Sequence, residues 1–181
     1  MNNLTTNQQE LLLRFLVRAF AYPDADFLKV METFRQEEEN LPYLKEIVST
    51  FLNSPLMELQ AEYTRLFITG YPTTPCPPYE SFFREGRLMG SVVYDIMRVY
   101  QEWGVQAELG LVDHLSTELE FLAYLLSATR IPELSGKARE AFSDFLNNHF
   151  RKWIPDFRKA LEENARLSVY NQIGKMLILL E

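Results

Sequence analysis

The sequence predicts an all-α protein, a single-domain bundle of about eight to ten helices over residues 1–181. Apolar residues recur at the three-and-four spacing of one helical face in segment after segment, and no stretch alternates convincingly like a half-buried strand. A composition of 47% hydrophobic and 24% charged residues is that of a folded globular chain. One core is large enough to take roughly 70% of the unfolded chain's surface out of water.

The elements follow in order. Thr6 and Gln9 have capping-box spacing, and Leu12, Phe15, Leu16, Ala19 and Phe20 line one face until Pro23 interrupts it. Asp24 or Asp26 opens a second helix with Phe27, Leu28, Met31 and Phe34. Leu44, Ile47, Val48 and Phe51 mark a third, ended by Asn53 and Ser54. Ser54 as cap and Pro55 at the first helical position open a fourth, which carries Leu59, Tyr63, Leu66 and Phe67.

Leu88, Val92, Ile96, Val99 and Trp103 trace another helix, whose exit loop Gly104 and Gly110 bracket. From Val112 to Ala128, Leu115, Leu119, Leu122 and Leu126 repeat almost every fourth residue. Phe121 and Tyr124 widen that face, which predicts a deeply buried helix. Ala138, Phe142, Phe145, Leu146 and His149 indicate a further helix, Trp153 and Pro155 a turn into another, and Tyr170, Ile173, Leu177 and Leu180 a last one.

One stretch breaks the pattern: "RLFITGYPTTPCPPYESFFREG", Arg65 to Gly86. Four prolines, Pro72, Pro75, Pro77 and Pro78, fall within seven residues together with the lone cysteine, Cys76. Proline fixes the backbone, so this is a stiff, extended loop whose aromatic neighbours either pack on the bundle or border a groove. Nothing adjacent in sequence supplies the base or positive field that would make Cys76 a nucleophile, and it is read as incidental.

A net charge of −7 without a dense Lys/Arg cluster argues against nucleic acid and favours a cationic partner. One cysteine gives no internal disulfide. The start "MNNLTTNQQE" lacks the basic and apolar segments of a signal peptide, and no long apolar run is present. The expectation is a cytoplasmic protein with no stable membrane insertion.

Two histidines, neither at Glu-x-x-His spacing, do not supply a multi-histidine metal site. With no phosphate-cradling glycine motif and no nucleophile elbow, no cofactor and no metal are expected. In "VDHLSTELE", Asp113, His114 and Glu118 combine acid and base, with His114 and Glu118 one helical turn apart. The same residues fit a structural reading, in which a helix N-terminus favours Asp113 and His114 bonds across the bundle. The run Glu37, Glu38 and Glu39 is read as a solvated face, the alternative being attraction of a cationic peptide.

"EYTRLF" at Glu62–Phe67, "PPYES" at Pro77–Ser81, "VDHLSTELEFLAYLL" from Val112 and "HFRKWIPDF" at His149–Phe157 occur in an order and spacing that resemble the TorD/DmsD/NarJ family of redox-enzyme maturation chaperones. The resemblance spans most of the chain. It implies an all-helical cytoplasmic chaperone with no catalytic activity. Its partner would be the catalytic subunit of a molybdenum-cofactor oxidoreductase, commonly bound through a twin-arginine signal peptide until cofactor insertion and export.

The residues carried over by the resemblance are Leu66, Phe67, Pro78, Tyr79, Glu80, Ser81, Asp113 and His114. A basic and apolar peptide needs an apolar groove rimmed by carboxylates. Leu66, Phe67 and Tyr79 are therefore expected to meet its apolar part, and Glu80, Asp113 or Glu118 its arginines. The chain departs from many relatives in having Gly110, Leu111 and Val112 where a Glu-Pro lead-in precedes Asp113. This leaves open whether the client carries an export signal. The competing readings are a small acid–base enzyme using Asp113, His114 and Glu118, and a helical scaffold for another folded protein.

Overall fold

Helix starts are set by the backbone N–H groups that need partners, and the first differs by one residue from the sequence reading. In the computed structural model, which describes residues 4–37, 41 and 43–180 with the Leu109 side chain apart, Thr5 caps the first helix. Its hydroxyl accepts from Gln8 N at 3.2 Å, and the Gln8 side chain accepts from Thr5 N at 2.9 Å. The box is thus Thr5–Gln8, not Thr6–Gln9.

Helix α1 runs Thr6–Ala19, α2 Phe27–Arg35, α3 Leu44–Asn53 and α4 Leu56–Tyr63. Asp26 is the N-cap residue of α2 but makes no cap bond, and Asp24 Oδ1 accepts from Asp26 N instead. Ser54 does not cap α4. Its hydroxyl turns back to donate to Thr50 O at 2.8 Å, and Pro55 takes the N-cap position. Helix α4 continues into a π turn, Thr64–Ile68, closed by the bond from Thr69 N to Thr64 O.

The next helices are α5 Glu80–Glu85, α6 Val92–Glu102, α7 Leu115–Ala128 and α8 Ser135–Phe145. Helix α5 has no counterpart in the apolar periodicity, being too short to show one. Leu88 precedes α6 and is 52% exposed. As expected, α7 sits deep, with Leu115, Leu119, Phe121, Leu122, Leu125 and Leu126 buried, although Tyr124 faces out.

A second π turn, Leu146–Phe150, leads directly into α9, Arg151–Asn164, and α10 spans Ser168–Met176. The turn expected at Trp153 and Pro155 is absent: Pro155 lies inside α9. A proline there removes one ladder bond, but the ladder is already irregular in the preceding π turn. Burial of Phe150, Trp153, Ile154, Phe157 and Leu161 on one face carries the helix through. Among the described residues there is no strand, only an isolated antiparallel bridge between Tyr79 and His114.

The chain forms two compact units: residues 1–77 with 158–181, and residues 78–157. In the first, Phe27 meets Phe51 edge-on at 5.1 Å, and Tyr63 meets Phe67 at 4.9 Å. The Tyr170 ring contacts Phe67 at 5.6 Å while its hydroxyl donates to Leu59 O at 2.9 Å, so the buried phenol is satisfied. In the second, Tyr100, Phe121 and Phe145 form the aromatic centre, with Tyr100–Phe121 at 4.6 Å and Phe121–Phe145 at 5.0 Å.

The proline loop is split by burial: Tyr71 is wholly exposed, whereas Cys76 is fully buried and its N–H donates to Leu66 O at 2.9 Å. Burial pushes the Cys76 thiol up to about 12, which keeps it an unreactive thiol near neutral pH. Gly70 permits the loop's return. A Cβ there would lie 2.6 Å from Pro75 Cδ, 2.7 Å from Thr73 O and 2.9 Å from Arg65 O. Gly70→Ala is expected to lower stability by about 1–3 kcal/mol through this overpacking. Urea denaturation checks it, and an unchanged midpoint would mean that the loop relaxes freely.

Candidate functional site

The second unit brings Pro78–Ser81 against Asp113–Glu118, segments far apart in sequence. Neither helix start there is capped from its own first turn alone. Helix α5 has no local side-chain cap. Its first amides are taken by Asp113: the Asp113 carbonyl accepts from Glu80 N at 3.0 Å and its Oδ2 from Ser81 N at 2.8 Å. In return the Pro78 carbonyl accepts from Leu115 N at 2.9 Å, the first amide of α7. His114 completes the α7 cap, its Nδ1 accepting from Ser116 N at 3.2 Å.

That bond fixes the imidazole. With Nδ1 used as an acceptor, the neutral ring carries its proton on Nε2. The Tyr79 ring meets it edge-on, with centroids 5.0 Å apart. Burial lowers the His114 pKa to about 4, against an opposing pull from Asp113. Tyr79 and His114 are half-buried, while Pro78, Glu80, Ser81, Asp113 and Glu118 are buried.

Beneath this pair lie two carboxyls. Glu80 Oε1 pairs with Arg84 one turn along α5, and its Oε2 lies 3.3 Å from His149 Nδ1. Glu118 is fully buried, and its Oε2 accepts from Trp153 Nε1 at 3.1 Å. Its Oε1 has no conventional donor. Burial first, and the neighbouring Glu80 charge second, raise the Glu118 pKa well above its ordinary 4.5. Burial thus favours the protonated form of the Glu118 carboxyl.

Leu66 and Phe67 belong to the first unit, where they are buried in the π turn. Glu62 and Arg65 form a paired clamp nearby. Arg65 donates to both Glu62 oxygens at 2.8 Å, and Glu62 also accepts from Arg166 N at 2.6 Å. Within the acidic run, Glu37 pairs with Arg14 at 3.1 Å, and Glu38 and Glu39 lie outside the described residues.

Sequence reasoning did not single out Arg84, His149 or Trp153 as parts of this network. The Glu80–Arg84 spacing of one turn was a usable signal; the pairing of His149 with a residue 69 positions away was not. A further feature is a groove of about 400 Å³ beside α7, with Val105, Leu111, Phe121 and Tyr124 among its walls and Glu108 and Glu120 in its lining.

Among the described residues no three His, Cys, Asp or Glu are grouped to hold a metal ion. No helix among them is long and apolar enough to cross a membrane. Asp113, His114 and Glu118 are each engaged in holding the local structure: a helix cap, a second cap and a tryptophan N–H.

Comparison with known proteins gives the family. Residues 32–159 match the family model described as nitrate reductase delta subunit. The chlorate reductase assembly chaperone protein of Ideonella dechloratans is 34% identical, over 98% of this chain and 89% of that one. The selenate reductase assembly chaperone protein of Thauera selenatis is 32% identical over the same shares. A crystal structure of a chain assigned as a redox enzyme maturation protein, from Archaeoglobus fulgidus, is 33% identical. It covers 94% of this chain and 90% of its own, with a TM-score of 0.67.

The chain belongs to the TorD/DmsD/NarJ family of redox-enzyme maturation chaperones. It is a chaperone and not an enzyme, and the acid–base reading of Asp113, His114 and Glu118 is set aside.

The two perturbed groups pull stability in opposite directions with pH. Folded His114 binds fewer protons than the unfolded chain between pH 4 and 6.5, so its contribution is lost as pH falls through that window. Folded Glu118 holds its proton where the unfolded chain has lost it, so stability falls as pH rises above 4.5. His114→Asn keeps a capping acceptor and is expected to flatten the acid-side loss, and Glu118→Gln the alkaline-side loss. Urea denaturation from pH 4 to 9 measures both, and parallel profiles for wild type and variant would contradict the assignment.

Proposed function

We propose that this protein is a cytoplasmic chaperone for the catalytic subunit of a molybdenum-cofactor oxidoreductase. It binds the client's N-terminal segment, a twin-arginine signal peptide where the client carries one, and holds it until cofactor insertion, assembly and export. Supporting this reading is its kinship with assembly chaperones of chlorate and selenate reductases. The observation that carries a recognition role is the Tyr79–His114 ring pair, half-exposed on a frame in which Glu80, Asp113 and Glu118 each hold bonds within the unit.

In this proposal the site residues divide their duties. Tyr79 and His114 offer an aromatic edge and an Nε2 proton to the client. Pro78, Glu80, Ser81, Asp113 and Glu118 hold that pair in position from below. Leu66 and Phe67 act within the core of the first unit, keeping the π turn and the base of the proline loop in place.

Pull-down from native cytoplasm is expected to recover a molybdenum-enzyme catalytic subunit. The purified subunit is expected to lose most of its affinity when its N-terminal segment is removed. The Asp113→Ala, His114→Ala double variant should bind the intact client about tenfold or more weakly, the scale of one or two lost polar contacts at an interface. Circular dichroism checks that it stays helical, and Tyr79→Ala, which spares both caps, gives an independent measure. Full affinity in both folded variants would remove this pair from the site. Equal binding of the truncated client would instead favour the scaffold reading.

A further inference from the structure

The carboxylates first expected to meet a cationic client are not free to do so: Glu80, Asp113 and Glu118 are buried and already bonded. Glu80 stands next to Tyr79 and opens α5, a helix of six residues with no side-chain cap of its own. A helix that short is not stable by its internal bonds, so its placement is set by what holds it from outside. Asp113 holds its first amides. The Glu80 side chain is held from elsewhere, by the π turn Leu146–Phe150 between α8 and α9.

In that turn the Arg151 N–H donates to Leu146 O, the wider ladder that defines a π turn. Two consecutive groups of the turn meet α5. The Asn148 carbonyl accepts from Arg84 Nη1 at 3.3 Å, and His149 Nδ1 lies 3.3 Å from Glu80 Oε2. Glu80 Oε1 in turn pairs with Arg84, so both carboxylate oxygens are tied. Facing a carboxylate already paired with arginine, Nδ1 is the donor. The His149 ring stacks on Phe145 with centroids 4.9 Å apart and planes 29° apart, and Phe145 packs on Phe121 at 5.0 Å in the centre of the unit. The core therefore fixes the plane of the ring, and the ring is buried.

We propose that His149 is a positioning residue for client binding. It fixes Glu80, and through Glu80 the start of α5 and the Tyr79 ring beside His114, without touching the client. Removal of the imidazole donor leaves a buried carboxylate oxygen unpaired, an expensive state that the chain relieves by moving Glu80. Tyr79 is its immediate neighbour and moves with it. Phe83, packed on Trp153 and Phe157, anchors α5 further along and does not replace that bond.

This inference rests on the chaperone reading and on Tyr79 as a client contact. The chain has two histidines, so in any His149 variant of the untagged full chain the one remaining imidazole C–H signal in a proton–carbon NMR spectrum is that of His114. The adjacent Tyr79 ring shifts that signal, which makes it a gauge of where Tyr79 lies. His149→Phe keeps a ring on Phe145 and removes the donor; His149→Asn keeps a donor at the Nδ1 position and removes the ring stack. His149→Phe is expected to move the His114 signal toward its position in Tyr79→Ala and to weaken binding of the purified client subunit about fivefold or more. His149→Asn should leave the signal near that of wild type and restore most of the affinity. Both variants should lower the urea midpoint, so a residue that served stability alone would show no such contrast between them.

An unmoved His114 signal in folded His149→Phe would overturn the proposal, as would an equal loss of affinity in His149→Asn. Should His149→Phe not fold, Glu80→Gln combined with it removes both halves of the bond and leaves no unpaired buried carboxylate. The same displaced signal and weakened binding are then expected, and wild-type values for either would overturn the proposal. Tyr79→Ala separates the two levels. If it weakens client binding while folded His149→Phe does not, the ring pair stands as the site and the role of His149 is removed. If Tyr79→Ala binds the client fully, the site and the role of His149 fall together.

Discussion

The second unit depends on an exchange of caps between two helix starts. Helix α5 begins with amides that its own sequence does not satisfy, and α7 begins beside a half-buried histidine. Asp113 supplies carbonyl and carboxylate to Glu80 and Ser81, and Pro78 supplies its carbonyl to Leu115. A buried amide left without an acceptor costs about 1–3 kcal/mol. Each segment therefore holds the other, and the Tyr79–His114 ring pair is placed by that reciprocity.

The same exchange explains why so many acidic residues occupy the interior of a chain with net charge −7. A buried carboxylate is tolerated only with donors around it, and here each acid is treated differently. Asp113 receives a backbone amide, Glu80 meets Arg84 and His149, and Glu118 keeps its proton beside Glu80 while accepting from Trp153. The acids in this unit that remain open to solvent without a partner include Glu108 and Glu120. Buried acids build the frame, and these two stay in solvent.

The aromatic richness has a similar division. Phe121 and Phe145 close around Tyr100, whose hydroxyl donates to Val112 O at 3.1 Å. The aromatic core of the second unit is thus tied to the residue immediately before Asp113, so the packing of the centre and the position of the cap are one constraint. Tyr79 and Tyr124, at the edges, keep part of their rings exposed.

The all-α class and nearly every helix were legible in the sequence, because three-and-four spacing survives wherever a helix is long enough to bury a face. The order of "EYTRLF", "PPYES" and "VDHL" also carried the family. What periodicity missed has physical reasons. Helix α5 is only six residues long. Pro155 reads locally as a break, yet burial of Trp153, Ile154 and Phe157 outweighs its lost bond. The identity of Asp113 and His114 as notable residues was local information. That Asp113 caps a helix starting 33 positions earlier, that His149 faces Glu80, and that Glu108 and Glu120 share a groove were decided by tertiary structure alone. Such bonds join residues with no fixed sequence separation, and only the folded backbone sets which donor and which acceptor meet.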